Sequence, residues 1–198
     1  MVQQPENLAK QELRRALRTR CRSLAAAARL RASRAAGALL LALPEIEAAR
    51  TVALYAAMPE EADPSAALGS LLTRGVRVLF PRVVGPDLEF AAGDPAELRP
   101  GHRGIPEPLG GAVDPAEIDL IVVPGLAFDR GGARLGRGGG HYDRTLARLP
   151  ARVVRVGFCF DFQVVDRVPR GPLDQPVDLV VTDRRVIRVP SGEGGRGG

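Results

Sequence analysis

The stretch RLGRGGGHYD, residues 134 to 143, sets four glycines and two arginines beside a histidine, a tyrosine and an aspartate. Glycines let a backbone adopt positive φ and bring its N–H groups close to a ligand, and a helix start adds unpaired N–H donors with partial positive charge. Arg134 and Arg137 add forked donors suited to phosphate oxygens. A polyphosphate is the natural guest of such a turn, although the same composition also suits a flexible surface loop. Two better-known phosphate motifs do not apply. Gly131 and Gly136 have the Walker spacing, but Arg137 and Gly138 stand where Lys and Ser/Thr are needed, and counting G-x-G-x-x-G from Gly136 puts His141 at the third glycine.

Asp143 either complements the dipole of a following helix or supplies a carboxylate to Mg²⁺, which takes one or two carboxylates and completes its octahedron with waters and phosphate oxygens. Asp161, Asp166, Asp174 and Asp178 are candidates for a second carboxylate. Lys10 is the one lysine among 28 basic residues, and with Arg14, Arg18 and Arg22 it forms a stripe at spacing four, read as a solvated basic face. His102 reads as an exposed loop residue, and Cys21 and Cys159 as members of apolar runs in the core.

The elements that must position these groups follow from the pattern. Leu13, Leu17, Cys21 and Leu24 fall on one face of a helix over 6 to 30, and a second helix runs from about 31 to 48, ending near Pro44. TVALYAAM (51–58) and VRVLFPRV (76–83) read as strands around a helix in 63–75, which predicts a parallel pair with a right-handed crossover. LEFAAG (88–93) is a weaker strand, and the proline-rich 94–117 a long loop region. DLIVVPG (119–125) is the clearest buried strand. The glycine stretch follows it in a loop, then come a helix over 141–149, a strand over 151–160, and two short strands in 176–189 around Asp183 and Arg184. Alternating strands and helices predict a single-domain, three-layer α/β fold over 1–190, its mostly parallel central sheet flanked by helices and its ligand at the carboxyl ends of the strands. Residues 191–198, SGEGGRGG, read as a disordered tail.

Composition bounds the rest. The 198 residues suffice for one core, and 45% hydrophobic with 26% charged residues is globular. Two distant cysteines support neither a disulfide scaffold nor a thiolate zinc site, and a cytoplasmic monomer with no membrane or nucleic-acid partner is expected. A net charge of +5 permits nucleic acid or small anions alike.

With these residues assembled, the chain resembles the 5-formyltetrahydrofolate cyclo-ligase family along nearly its whole length. The resemblance is carried by Lys10 and Arg14 in the first helix, YAAMPEEADP (55–64), IPEP (105–108), DLIVVPGLAFDRGGARLGRGGGHYDRTL (119–146) and VPRGPLDQPVDLVVTD (168–183). It implies an enzyme that converts 5-formyltetrahydrofolate to 5,10-methenyltetrahydrofolate with ATP and Mg²⁺. The formyl oxygen would attack the γ-phosphorus, N10 would close on the activated carbon, and phosphate would leave. By position, Lys10, Arg14, Arg134 and Arg137 would be the catalytic cations, and Lys10, Arg14 and Arg134, Leu135, Gly136, Arg137, Gly138, Gly139, Gly140, His141 and Tyr142 the nucleotide site. Asp143 and Asp174 would hold the metal. Ala56, Met58 and Glu61 would contact the folate, sharing Arg137 to His141 with the nucleotide, and Glu107 would lie near it. Many relatives have tyrosine at 137 and 141 and histidine at 173, where this chain has Arg137, His141 and Leu173. An RNA-binding protein or a small-anion kinase are the other readings. Scattered arginines and eight tyrosine and phenylalanine residues speak against the first, Glu61 and YAAMPEE against the second.

Overall fold

The computed structural model describes residues 3–93 and 97–190; the predicted tail lies outside the described residues. Its centre is an eight-stranded sheet built from β1 (Thr51–Ala53), β2 (Arg77–Val84), β3 (Asp87–Ala92), β6 (Ala112–Val113), β7 (Leu120–Pro124), β10 (Val154–Phe158), β11 (Leu179–Val181) and β12 (Val186–Arg188). The order across the sheet is β12-β11-β10-β7-β1-β2-β3-β6. The five inner strands are parallel, and β3, β6 and β12 close the two edges in antiparallel fashion. Two short ribbons complete the strands, β4 (Arg99–Pro100) with β5 (Pro106–Glu107), and β8 (Ala127–Phe128) with β9 (Arg134–Leu135).

Alternation along the inner strands divides the core in two. Val52, Val78, Phe80, Leu120, Val122 and Val156 face α2 (Ala26–Leu41), α3 (Pro44–Ala48) and α4 (Leu68–Thr73) through Ala36, Leu40, Ile46 and Leu71. Ala53, Leu79, Ile121, Val123 and Val180 face the other way, against Phe128 and against Leu146 of α5 (His141–Arg148). Period 2 with apolar residues on both faces is what a sheet covered on both sides demands. Each fully buried aliphatic or aromatic side chain contributes roughly 1.5–3 kcal/mol. The three-layer α/β expectation holds. Among the described residues no helix is long and apolar enough to cross a membrane.

Several local expectations need correction. The first helix does not run to residue 30. α1 (Gln3–Ser23) stops, Ala25 is extended, and α2 begins at Ala26, because Arg29 Nη2 donates to the Leu24 carbonyl at 2.7 Å and the Cys21 carbonyl at 3.4 Å and so caps the end of α1. The second helix also ends earlier, at Leu41, and Pro44 opens α3 at a first-turn position that needs no N–H. Strand 51–58 is ordered as β1 only to Ala53, and the helix expected in 63–75 is a 3₁₀ turn, Pro64–Ala67, followed by α4. The 94–117 loop carries β4, β5 and β6. Cys21 and Cys159 are buried free thiols, as expected, and burial pushes the Cys21 thiol up to about 11.

Candidate functional site

The chain leaves β1 towards β2 on one side, and the next inner strand, β7, pairs on the other side of β1. In such a sheet the carboxyl ends of the two strands at the reversal open a crevice. A cavity of about 480 Å³ lies there, lined by Tyr55 and Ala56 after β1 and by Pro124, the last residue of β7, with Gly125 after it. Met58, Glu61, Lys10, Arg14, Asp143, Asp174 and all of residues 134–142 also line it, so one cavity gathers every residue of the candidate site.

The basic stripe of α1 forms the wall nearest the glycine loop, which corrects its reading as a solvated face. The Lys10 ammonium donates to Asp174 Oδ2 at 2.5 Å, Arg14 Nε to the Gly136 carbonyl at 3.0 Å, and Arg18 Nη2 to the Arg137 carbonyl at 3.1 Å. Arg22, one turn on, is exposed. The helix is seated by its apolar face, where Leu17 packs with Ala127, Ala133, Leu135 and Val168. Arg134 and Leu135 are buried residues of β9, so the loop proper starts at Gly136. Gly138 at φ +107° and Gly140 at φ +69° hold conformations that favour glycine, and Gly140 caps α5.

Two ion-pair clusters flank the loop. Arg134, its side chain 3% exposed, donates through Nη2 to Asp143 Oδ1 at 2.6 Å, and the Gln175 N–H reaches the same oxygen at 3.2 Å. Arg137 donates through Nε to Glu61 Oε1 at 2.8 Å and through Nη1 to Glu60 Oε1 at 3.1 Å, while Glu61 Oε2 accepts the Met58 N–H at 2.9 Å. Burial opposes the Arg137 charge, but Glu61 and Glu60 outweigh it and hold its guanidinium above the ordinary range. Burial also raises the Tyr142 phenol. His141 Nδ1 sits 2.8 Å from the Pro86 carbonyl, to which Arg144 Nε donates at 2.8 Å, tying the loop's end to the β2–β3 turn.

Of the four candidate second carboxylates, Asp174 alone lines the cavity among the described residues. Asp161 pairs with Arg185, Asp178 accepts the Arg155 N–H, and Asp166 lies at a separate groove. The bonds to Asp143 fall on Oδ1 and those to Asp174 on Oδ2. Among the described residues one oxygen of each carboxylate has no partner, a donor set that fits Mg²⁺ completed by waters and phosphate oxygens. Among the described residues no group of three or more His, Cys, Asp or Glu side chains is placed to hold a metal without such completion.

Sequence reasoning missed several residues here, Gln175 and Arg144 among them. Glu60 pairs with Arg137, and its neighbour Glu61 was the only hint. Arg18 touches the loop, for which the spacing of four from Arg14 was the available signal. His102 is exposed as expected but also lines the cavity, its ring centre 6.1 Å from that of His141. Glu107 Oε1 accepts the N–H groups of Val83 and His102 at 3.1 Å each and lines the cavity beside them.

The profile of the 5-formyltetrahydrofolate cyclo-ligase family matches residues 6–183. A 5-formyltetrahydrofolate cyclo-ligase of Mycolicibacterium smegmatis is 40% identical over 151 residues, spanning 70% of this chain and 76% of the relative. That of Escherichia coli K12 is 31% identical over 182 residues, 86% of this chain and 98% of the relative. The NMR structure of Aquifex aeolicus 5,10-methenyltetrahydrofolate synthetase superposes with a TM-score of 0.82 at 36% identity, covering 95% of this chain and 96% of that one.

Proposed function

The chain belongs to the 5-formyltetrahydrofolate cyclo-ligase family, and from that premise we propose that it converts 5-formyltetrahydrofolate to 5,10-methenyltetrahydrofolate with ATP and Mg²⁺, releasing ADP and phosphate. The formyl oxygen is a poor leaving group. Transfer of the γ-phosphoryl group to it makes a phosphorylated formyl intermediate, from which N10 of the folate displaces phosphate as it closes the ring.

Such a reaction depends on positioning and charge neutralisation more than on a protein nucleophile. Lys10, Arg14 and the N–H groups of residues 136–140 hold the phosphate chain. Arg134 is too deeply buried to follow a moving ligand and instead fixes the Asp143 carboxylate. Asp143 and Asp174 would hold Mg²⁺, which would supply charge neutralisation at the phosphoryl group. Ala56, Met58 and Glu61 form the folate wall, and Arg137, bonded to Glu61 and belonging to the glycine loop, sits where the two substrates meet.

The observation that carries this reading is the convergence of α1 cations, glycine loop and Glu61 turn on one cavity. The test mixes the protein with 5-formyltetrahydrofolate and MgATP and follows the near-ultraviolet absorbance of the methenyl product. An increase that requires ATP is expected. No increase, with nucleotide binding intact, overturns the reading and assigns the phosphate cradle to another acceptor.

A further inference from the structure

The contact between α1 and the glycine loop has a consequence for the direction of the loop's peptides. In a planar trans peptide the carbonyl of one residue and the N–H of the next point in opposite directions. Arg14 draws the Gly136 carbonyl towards α1 and Arg18 draws the Arg137 carbonyl the same way. The N–H groups of Arg137 and Gly138 therefore both point away from the helix. Successive carbonyls of an extended chain alternate, so two in a row on one side make a concave run of N–H groups suited to an anion. Among the described residues no carbonyl or side chain accepts from either N–H, although both residues line the cavity.

Arg14 also lines the cavity and can touch a ligand directly, whereas Arg18 does not line it. Among the described residues its side chain bonds to the Arg137 carbonyl alone, and its Nε is buried with no partner there. We propose that Arg18 is a positioning residue of the nucleotide site: by holding the Arg137 carbonyl against α1 it keeps the Gly138 N–H, beside that of Arg137, directed at the phosphate chain, without touching the ligand itself. The proposal rests on the cyclo-ligase reading for the identity of the anion.

The electrostatic setting agrees. Burial lowers the Arg18 guanidinium, and Arg137, Arg14 and Arg22 add to that effect. Glu60 opposes them, but burial and the three cations win, so Arg18 is a poor device for stability. The Arg137 side chain is locked independently by Glu60 and Glu61, so loss of Arg18 releases the peptide without releasing the folate wall.

The test compares wild type, Arg18→Lys and Arg18→Met for binding of a non-hydrolysable ATP analogue by calorimetry, alongside thermal melting and steady-state kinetics. Arg18→Met is expected to weaken analogue binding and raise the KM for ATP about tenfold, the size of one lost charged hydrogen bond. The KM for 5-formyltetrahydrofolate and the melting temperature should stay unchanged. Arg18→Lys, which keeps one donor, should recover part of the affinity. Analogue binding within twofold of wild type in Arg18→Met overturns the proposal, as does a loss matched by a fall in melting temperature that Arg18→Lys does not relieve. Wild type that fails to bind the analogue overturns the cyclo-ligase reading instead.

Discussion

The Lys10 ammonium and the Asp174 carboxylate, 164 residues apart in the chain, lie 2.5 Å from one another and join the first helix to the loop before β11. The pair forms part of the cavity wall, the Lys10 side chain 12% and the Asp174 side chain 26% exposed, so screening by solvent is incomplete.

This pair predicts a pH dependence. Burial raises the Asp174 carboxyl, but the Lys10 bond, the Gly171 N–H and the charges of Lys10 and Arg134 outweigh it, leaving it below the ordinary carboxylate range. A carboxyl depressed by folding stabilises the protein fully above its unfolded value, and that contribution is lost as the pH falls through the folded value. Lys10→Met should melt below wild type at neutral pH, and the gap should narrow as the pH falls below the ordinary aspartate value of about 3.9. Its kcat/KM should drop about a hundredfold. A gap that stays constant with pH would separate Asp174 from Lys10.

Asp143→Asn removes the negative partner of a guanidinium that is almost wholly enclosed. Destabilisation of about 3–5 kcal/mol is expected in denaturant titration, along with loss of MgATP-dependent turnover. The double variant Arg134→Met with Asp143→Asn should regain most of the stability and none of the turnover. Turnover of Asp143→Asn that equals wild type and needs no more Mg²⁺ to saturate would remove Asp143 from the metal site and leave it a role in the fold alone.

Glu61 uses one oxygen for Arg137 and the other for the Met58 N–H. Glu61→Gln keeps the shape and gives up the charge. The KM for 5-formyltetrahydrofolate should rise about tenfold while that for ATP changes little. Equal changes in both would show that Glu61 acts through the glycine loop and not on the folate.

A Cβ on Gly157, in the middle of β10, would lie 2.4 Å from Cε1 of the buried Phe128 ring. Gly157→Ala should cost about 1–3 kcal/mol or more in chemical denaturation, and Phe128→Leu in the same chain should recover part of it. Unchanged stability would mean that the ring moves aside at no cost.

Much of this protein is legible in its residues alone. The inner strands announce themselves as short β-branched apolar runs, because a strand buried on both faces has no polar side to present, and their alternation with helices implies the parallel sheet. Glycines at 138 and 140, arginines beside them and an aspartate at the helix start pointed to a phosphate site, because backbone freedom and forked cations are properties of residue types. Motifs shared with the cyclo-ligase family joined that loop to Lys10, Glu61 and Asp174.

Other features depended on contacts that residue types do not announce. The end of α1 lies in an alanine-rich stretch of high helix propensity, where Arg29 returns to the Leu24 carbonyl and the Ser23 hydroxyl donates to the Arg20 carbonyl. The stripe from Lys10 to Arg22 has a helical period that identifies a face but not its surroundings; packing of Leu17 on the β8–β9 ribbon turned Lys10, Arg14 and Arg18 towards the glycine loop. Asp174 could not be told from Asp161, Asp166 and Asp178 by type or local spacing. The sequence determined which residues could bind an anion and a divalent cation, since that capacity belongs to each side chain and to glycine's backbone. Tertiary structure decided which of them meet, since a charge or a peptide N–H acts over a few ångströms and only the folded chain sets those distances.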